Sequence, residues 1–130
     1  MADKEYVIGL FRHLSHDSDR FFEKVADDVF WTVMGTHPLA GEYHTKQDFL
    51  DHTFGRLNKI LTGAIALNLD SVLVDGDYAA VEMKARFTGK NGKVYENVYC
   101  WVVRFKGDMI AEVKAYVDSA IVQRLVDENE

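Results

Sequence analysis

Asn97, Tyr99, Trp101, Lys114, Tyr116 and Asp118 are residues whose types and spacing could do chemistry together. They sit on two aromatic-rich stretches, 94–106 and 109–117, on either side of Gly107-Asp108. If that pair is a two-residue hairpin turn, the strand register follows from it. Asn97 then stands opposite Asp118, Tyr99 opposite Tyr116, and Trp101 opposite Lys114. Opposed side chains share a sheet face, so the six form one polar-aromatic surface. The other face reads Val98, Cys100 and Val102 against Val113, Ala115 and Val117, an apolar surface suited to packing.

Each of these residues has a chemical reading and a structural one. A carboxylate such as Asp118 in an aromatic pocket would have its pKa raised into the range useful for acid–base work. The same residue could instead cap the helix that follows, and the two roles are compatible. Tyr99 and Tyr116 could donate hydrogen bonds to a carbonyl or enolate oxygen, or simply form a cross-strand aromatic pair. Asn97 does not titrate, so it could orient a ligand but not exchange protons with it. Lys114 could balance Asp118 or lie over Trp101 as a cation–π partner, or be a solvated edge residue.

Trp31 and Trp101 could stack on a ligand ring or fill the core. The pattern around 29–34 leaves open whether Trp31 or Thr32 faces inward. His37, Tyr43 and His44 fall in or near a loop, Gly35-Thr36-His37-Pro38-Leu39-Ala40-Gly41, placed to cover a cavity mouth. His13 and His16 are three apart but lack the cysteine or carboxylate partners of a metal site. There is no phosphate-binding glycine loop, nucleophile elbow, HExxH or paired CxxC, so nothing in the chain calls for a metal, nucleotide or other cofactor.

The elements that must position these residues change character midway. Val7, Leu10, Phe11 and Leu14 predict a helix from about Lys4 to Leu14. Ser15 and Asp17 can cap a second helix that buries Phe21, Phe22 and Val25. Val29 to Met34 reads as a strand. Thr45 with Asp48 forms a capping-box pattern that opens a third helix to about Leu61. From there the period is two: strands are expected over 64–74, 78–88, 94–106 and 109–117, with turns at Asp75-Gly76-Asp77, Gly89-Lys90-Asn91-Gly92 and Gly107-Asp108. The simplest register across the Gly89–Gly92 loop puts Lys84 on the face of Asn97; a bulge would put Met83 there. A last helix is expected from Ser119 to about Asp127. This order predicts an α+β fold, a curved, mostly antiparallel sheet wrapped around three N-terminal helices, with a short C-terminal helix closing it.

The chain has 130 residues, 48% of them hydrophobic, which suits one domain spanning 1–130. A net charge of −6 without a basic stripe argues against nucleic acid or an anionic membrane as partner. The single cysteine, Cys100, the absence of an apolar signal core and the lack of a membrane-length run point to a cytoplasmic protein.

Several strings, Phe30-Trp31-Thr32-Val33-Met34-Gly35, Pro38-Leu39-Ala40-Gly41, and Gly107-Asp108-Met109-Ile110 leading to Tyr116-Val117-Asp118-Ser119, resemble the nuclear transport factor 2-like superfamily, in its SnoaL-like, ketosteroid-isomerase-like branch. The resemblance covers essentially the whole chain and implies a cone-shaped fold with a pocket between the concave sheet face and the helices. It implies a homodimer through the opposite face, here Val98, Cys100, Val102, Val113, Ala115 and Val117. It also implies that Asp118 matches the pocket aspartate of cyclases and epoxide hydrolases of this fold. Two departures stand out: Thr32 falls where a ketosteroid isomerase has its carboxylate base, and Trp101 where it has its oxyanion-binding acid. Steroid isomerisation by that route is therefore not expected. Two functions remain. One is acid–base catalysis on a small hydrophobic, carbonyl-bearing molecule, with Asp118, Tyr116 and Tyr99 catalytic and Trp31, Thr32, Tyr43, His37, Asn97, Trp101 and Lys114 binding. The other is a binding or carrier protein, or an interaction module, on the same scaffold.

Overall fold

The computed structural model describes residues 2–130. Helix α1 (Lys4–Arg12) starts where the Asp3 carboxylate accepts the Tyr6 N–H at 3.2 Å, and it buries Val7, Leu10 and Phe11. A 3-10 turn (His13–Ser15) leads to α2 (Ser18–Phe22), capped by Asp17, which drives Phe21 and Phe22 into the core. The Thr45 cap opens α3 (Lys46–His52) as expected, its hydroxyl accepting the Asp48 N–H at 3.0 Å.

That third helix is shorter than its apolar spacing predicts. Thr53 leaves the helical region at φ −118° and ψ −82°, and its buried hydroxyl donates to the Phe49 carbonyl at 2.6 Å. This bond four residues back bends the chain. A separate short helix, α4 (Phe54–Asn58), follows and turns Phe54 and Leu57 inward.

Strands β1 (Val25–Val33), β2 (Gly41–Tyr43), β3 (Leu61–Thr62), β4 (Asn68–Asp75), β5 (Tyr78–Gly89), β6 (Val94–Lys106) and β7 (Met109–Val117) form one sheet in the order β2-β1-β7-β6-β5-β3, with β4 also on β5. The pairings are antiparallel except β1 with β7, which run parallel. Strict alternation along β5 puts Val81, Met83, Ala85 and Phe87 inside and Glu82, Lys84 and Arg86 outside. Helix α5 (Ser119–Asn129) then closes the open end, burying Val122, Leu125 and Val126.

Two registers differ from the sequence-based expectation. The turn between β5 and β6 takes one residue more, pairing Thr88 with Val94, so Met83 rather than Lys84 shares the face of Asn97. The Gly107-Asp108 turn is two residues long, with Lys106 paired to Met109, but a bulge between Arg104 and Phe105 shifts all pairs beyond it by one. Tyr99 therefore meets Val117, Cys100 meets Tyr116, Trp101 meets Ala115 and Val102 meets Lys114. A one-residue slip moves every side chain of β7 to the other face. Val113, Ala115 and Val117 consequently line the interior, whereas Lys114 and Tyr116 join Val98, Cys100 and Val102 on the convex side.

The bulge is consistent with the burial demand: it keeps apolar alternate residues inward on both strands, with Ile110 and Val113 fully buried. Gly35 permits a further close approach. At φ +112° a Cβ there would sit 2.6 Å from the Ser119 hydroxyl, so only glycine lets this loop close against the start of α5. Among the described residues no helix is long and apolar enough to cross a membrane.

Candidate active site

The concave face of β6 and β7, the inner face of β1, and α3, α4 and α5 enclose a cavity of about 80 Å3. At roughly 10–15 Å3 per water position this is room for several waters or one small ring. Its walls are aromatic and aliphatic, with Trp31, Phe49, Phe54, Phe87, Trp101 and Leu125 prominent. Trp31 is fully buried; it stacks on Phe49 with ring centroids 3.8 Å apart and meets Trp101 edge-on at 5.0 Å. Such contacts hold both indoles in place.

The polar groups lining the cavity are Tyr99, Asn97 and Tyr95 of β6, His37 of the 35–41 loop, and Thr53 between α3 and α4. Burial pushes the Tyr99 phenol well above the ordinary tyrosine range, so it stays protonated. Asn97 spends its oxygen on two backbone donors, Val98 N–H at 2.8 Å and Asp118 N–H at 3.1 Å. His37 is 5% exposed. Its Nε2 lies 3.2 Å from the Met34 carbonyl, which can only accept, and its Nδ1 lies 3.2 Å from the Leu39 N–H, which can only donate. The ring is thus neutral with its proton on Nε2, and burial lowers its pKa. Tyr95 donates to Glu128 and accepts from Asn91 and Asn129, which anchors the last turn of α5 to β6.

Trp31, His37, Asn97, Tyr99 and Trp101 come together around this cavity, as the sequence reading expected them to share one site. The others are placed elsewhere. Thr32 pairs with Lys114 across β1 and β7, both on the convex side. Tyr116 is 43% exposed on that face. Tyr43 lies on β2 behind the cavity, its hydroxyl donating to the Leu39 carbonyl at 2.8 Å, and it braces the loop rather than lining the cavity. His44 stacks on Phe30.

Asp118 is the N-cap of α5, accepting the Ala120 N–H at 3.1 Å. It lines an outer groove with Lys84, Arg86 and Glu96, and this groove shares Asn97 and Ile121 with the cavity. Two lining groups carried no chemical motif in the sequence. Thr53 was hidden inside a helix prediction, and Ile121, Val122 and Leu125 fall within the expected last helix with no polar side chain to mark them. Arg56 was also missed; it fastens the rim by donating to the Pro38 carbonyl at 3.2 Å and to the Glu130 carboxylate.

This architecture has known relatives. A family model described as the SnoaL-like domain matches residues 9–113. The chain belongs to the SnoaL-like domain family. Among curated proteins, this SnoaL-like chain is 30% identical to a dimerizing cyclase, phiC, of Fungal sp. (strain ATCC 74256), and 28% identical to a dimerizing cyclase, tstC, of Talaromyces stipitatus. Each match covers 99% of this chain but 59% of the relative, so the chain spans little more than half of their length. Among solved structures, a nuclear transport factor 2-like protein of Burkholderia thailandensis superposes with a TM-score of 0.80 at 22% identity, covering 97% of this chain and 98% of that one. TerC co-crystallized with polyporic acid superposes with a TM-score of 0.76 at 15% identity, covering 95% and 96%. These likenesses establish the nuclear transport factor 2-like fold.

Proposed function

We propose that this SnoaL-like protein catalyses a cyclase- or isomerase-type rearrangement of a small hydrophobic, carbonyl-bearing molecule held in the concave cavity. The observation that carries this reading is the cavity itself: an aromatic and aliphatic space between sheet and helices with a few polar side chains, from β6, the 35–41 loop and Thr53, on its walls, the usual anatomy of a small-molecule site. The names of the curated relatives, dimerizing cyclases, point to ring-forming chemistry of the same general type.

Asp118 serves as the proton carrier in this reading. Among the described residues the cavity lining holds no carboxylate, and His37 has both nitrogens engaged. The groove beside it holds two, of which Glu96 faces Arg86 at 3.9 Å while Asp118 makes no ion pair among the described residues. A substrate reaching from the cavity past Asn97 and Ile121 would bring its reactive end to Asp118. The test is turnover of small cyclisable carbonyl compounds by the wild type and by Asp118→Asn, which preserves the helix cap. Loss of turnover with ligand binding intact supports the role.

A second reading, a carrier that binds without reacting, is favoured by one observation: Asp118 already has a structural task as the cap of α5. Binding in the cavity without any turnover, and no effect of Asp118→Asn, would select it.

Self-association uses the convex face in either case. Val98, Cys100, Val102 and Tyr116 lie side by side there, and Leu73, Val94 and Val98 are exposed at 70, 44 and 56%. This apolar strip, bordered by Glu82, Lys84 and Lys114, is suited to cover by a second copy.

A further inference from the structure

We propose that α4 is a movable wall of the cavity, latched by Arg56, and that its release joins the cavity to a groove behind Phe54, so that the site takes hydrophobic molecules larger than the cavity alone can hold. This rests on the reading of the cavity as the ligand site and goes beyond it by naming the wall that yields and the size of molecule that follows.

The walls are held unequally. Strands β1, β6 and β7 are fixed by sheet pairing. Helix α5 is tied at its start by the Asn97 side chain and near its end by Asn129, which donates to the Tyr95 oxygen at 3.1 Å and accepts the Asn91 N–H at 2.9 Å. Helix α3 has its Thr45 cap, and its Phe49 stacks on Trp31. Helix α4 has neither kind of anchor: no side chain among the described residues caps its start, and none of its five residues is buried. The chain on either side is fixed, because Thr53 and Ile60 are buried and the Ile60 carbonyl accepts the Lys90 N–H at 2.8 Å. Between those points, among the described residues, 54–59 reaches other elements by hydrogen bond only through the Arg56 guanidinium. A helix of one turn is not stable by itself, and so lightly held a segment is where local opening occurs.

Arg56 joins three wall elements at once. Its Nε donates to the Glu130 carboxylate at the end of α5 at 2.6 Å, and its Nη1 donates to the Pro38 carbonyl of the 35–41 loop at 3.2 Å. The planar fork of an arginine makes this double attachment from one side chain. The Arg56 and Glu130 side chains are 35 and 41% exposed, and a pair that open to water holds weakly, as a latch that binding can release must. Phe54 stands on the same helix as a partition. It lines the cavity and also an outer groove of about 430 Å3, which it shares with Phe22, Leu50 and Asn58. Its ring meets Phe22 edge-on, with centroids 5.4 Å apart. Outward movement of 54–59 withdraws this ring, and the two apolar linings become continuous.

The experiment compares cyclohexanone, a single ring that the cavity holds as it stands, with N-phenyl-1-naphthylamine, a larger neutral dye that needs the groove as well. Calorimetry follows the ketone and fluorescence follows the dye. Arg56→Gln should tighten the dye about 3- to 10-fold, because the wall no longer has to be released first, and leave the ketone unchanged. Glu130→Gln, which keeps the bond to Pro38, should tighten the dye about 2- to 3-fold. Cyclohexanone should displace the dye from the wild type and from both variants. Loss of a merely structural side chain would instead weaken both probes. Dye binding that is unchanged or weaker in both variants, or dye that the ketone does not displace, overturns the latch while ketone binding keeps the cavity reading standing. If neither probe binds, the cavity reading falls and this inference falls with it.

Discussion

The side-chain amide of Asn97 is bonded to the backbone of Asp118: its Oδ1 accepts the Asp118 N–H at 3.1 Å while also accepting the Val98 N–H at 2.8 Å. The pair joins the end of β7 to β6 at the point where the chain turns into α5. Asn97 is 6% exposed, so water cannot readily replace these bonds. Asn97→Ala should lower unfolding stability by about 1–3 kcal/mol, read from denaturant midpoints, because two N–H groups lose their acceptor. Asn97→Asp keeps both acceptors and should cost less at neutral pH. If the alanine variant is as stable as the wild type, this joint carries no weight.

Asp118 is predicted to separate stability from chemistry. Asp118→Ala should cost about 1 kcal/mol through loss of the α5 cap, while Asp118→Asn costs only a few tenths. If Asp118 also carries protons, the asparagine variant loses turnover at nearly wild-type stability. Thermal melts alongside turnover distinguish the two roles.

His37 should make the fold sensitive to mild acid. Its folded-state pKa lies below the unfolded value of about 6.5, so the unfolded chain binds more protons between the two. The contribution is fully present above that unfolded value and is lost as pH falls from it through the folded pKa. Protonating Nδ1 would also set two donors, the ring and the Leu39 N–H, against each other. Chemical denaturation from pH 8 to pH 5 should show a larger loss for the wild type than for His37→Leu. Parallel curves would contradict the assignment.

The convex face predicts a dimer that charge can break. Val98→Lys or Tyr116→Lys, at exposed positions where neither side chain supports the core, should shift a dimer to monomer in sedimentation with little change in helix and sheet signal by circular dichroism. A wild-type chain that is monomeric at high concentration would remove this proposal.

The elements of this fold were legible wherever one period ran uninterrupted. Strands β6 and β7 occur where their alternation predicts, and Asp17, Thr45 and Asp118 cap the helices that their positions suggest. Three features were not legible. The bulge beside Phe105 depends on how the sheet must twist to bury Ile110 and Val113 together, which no local string encodes. That one residue moved Lys114 and Tyr116 out of the expected site and brought Ala115 and Val117 in. The extra residue in the β5–β6 turn, closed by the Gly89 N–H to the Lys93 carbonyl, likewise decided for Met83 over Lys84. The break at Thr53 arises from one hydroxyl choosing a backbone partner. Trp31, Tyr99 and Trp101 could be named from sequence as large and polar-edged; that the Trp31 N–H is left unpaired among the described residues required the packing around it.

The central claim is that ligand enters the concave cavity, and the chain's two tryptophans allow a direct reading, since only Trp31 and Trp101 contribute indole N–H signals to a 1H–15N spectrum. Titrating cyclohexanone into the labelled protein should move both indole signals together, along with the amides of Val117 and Leu125, which line the same space. If both indole signals stay fixed while the amides of Lys84, Arg86 and Val98 in the outer groove shift, the ligand site lies in the groove and the account is contradicted.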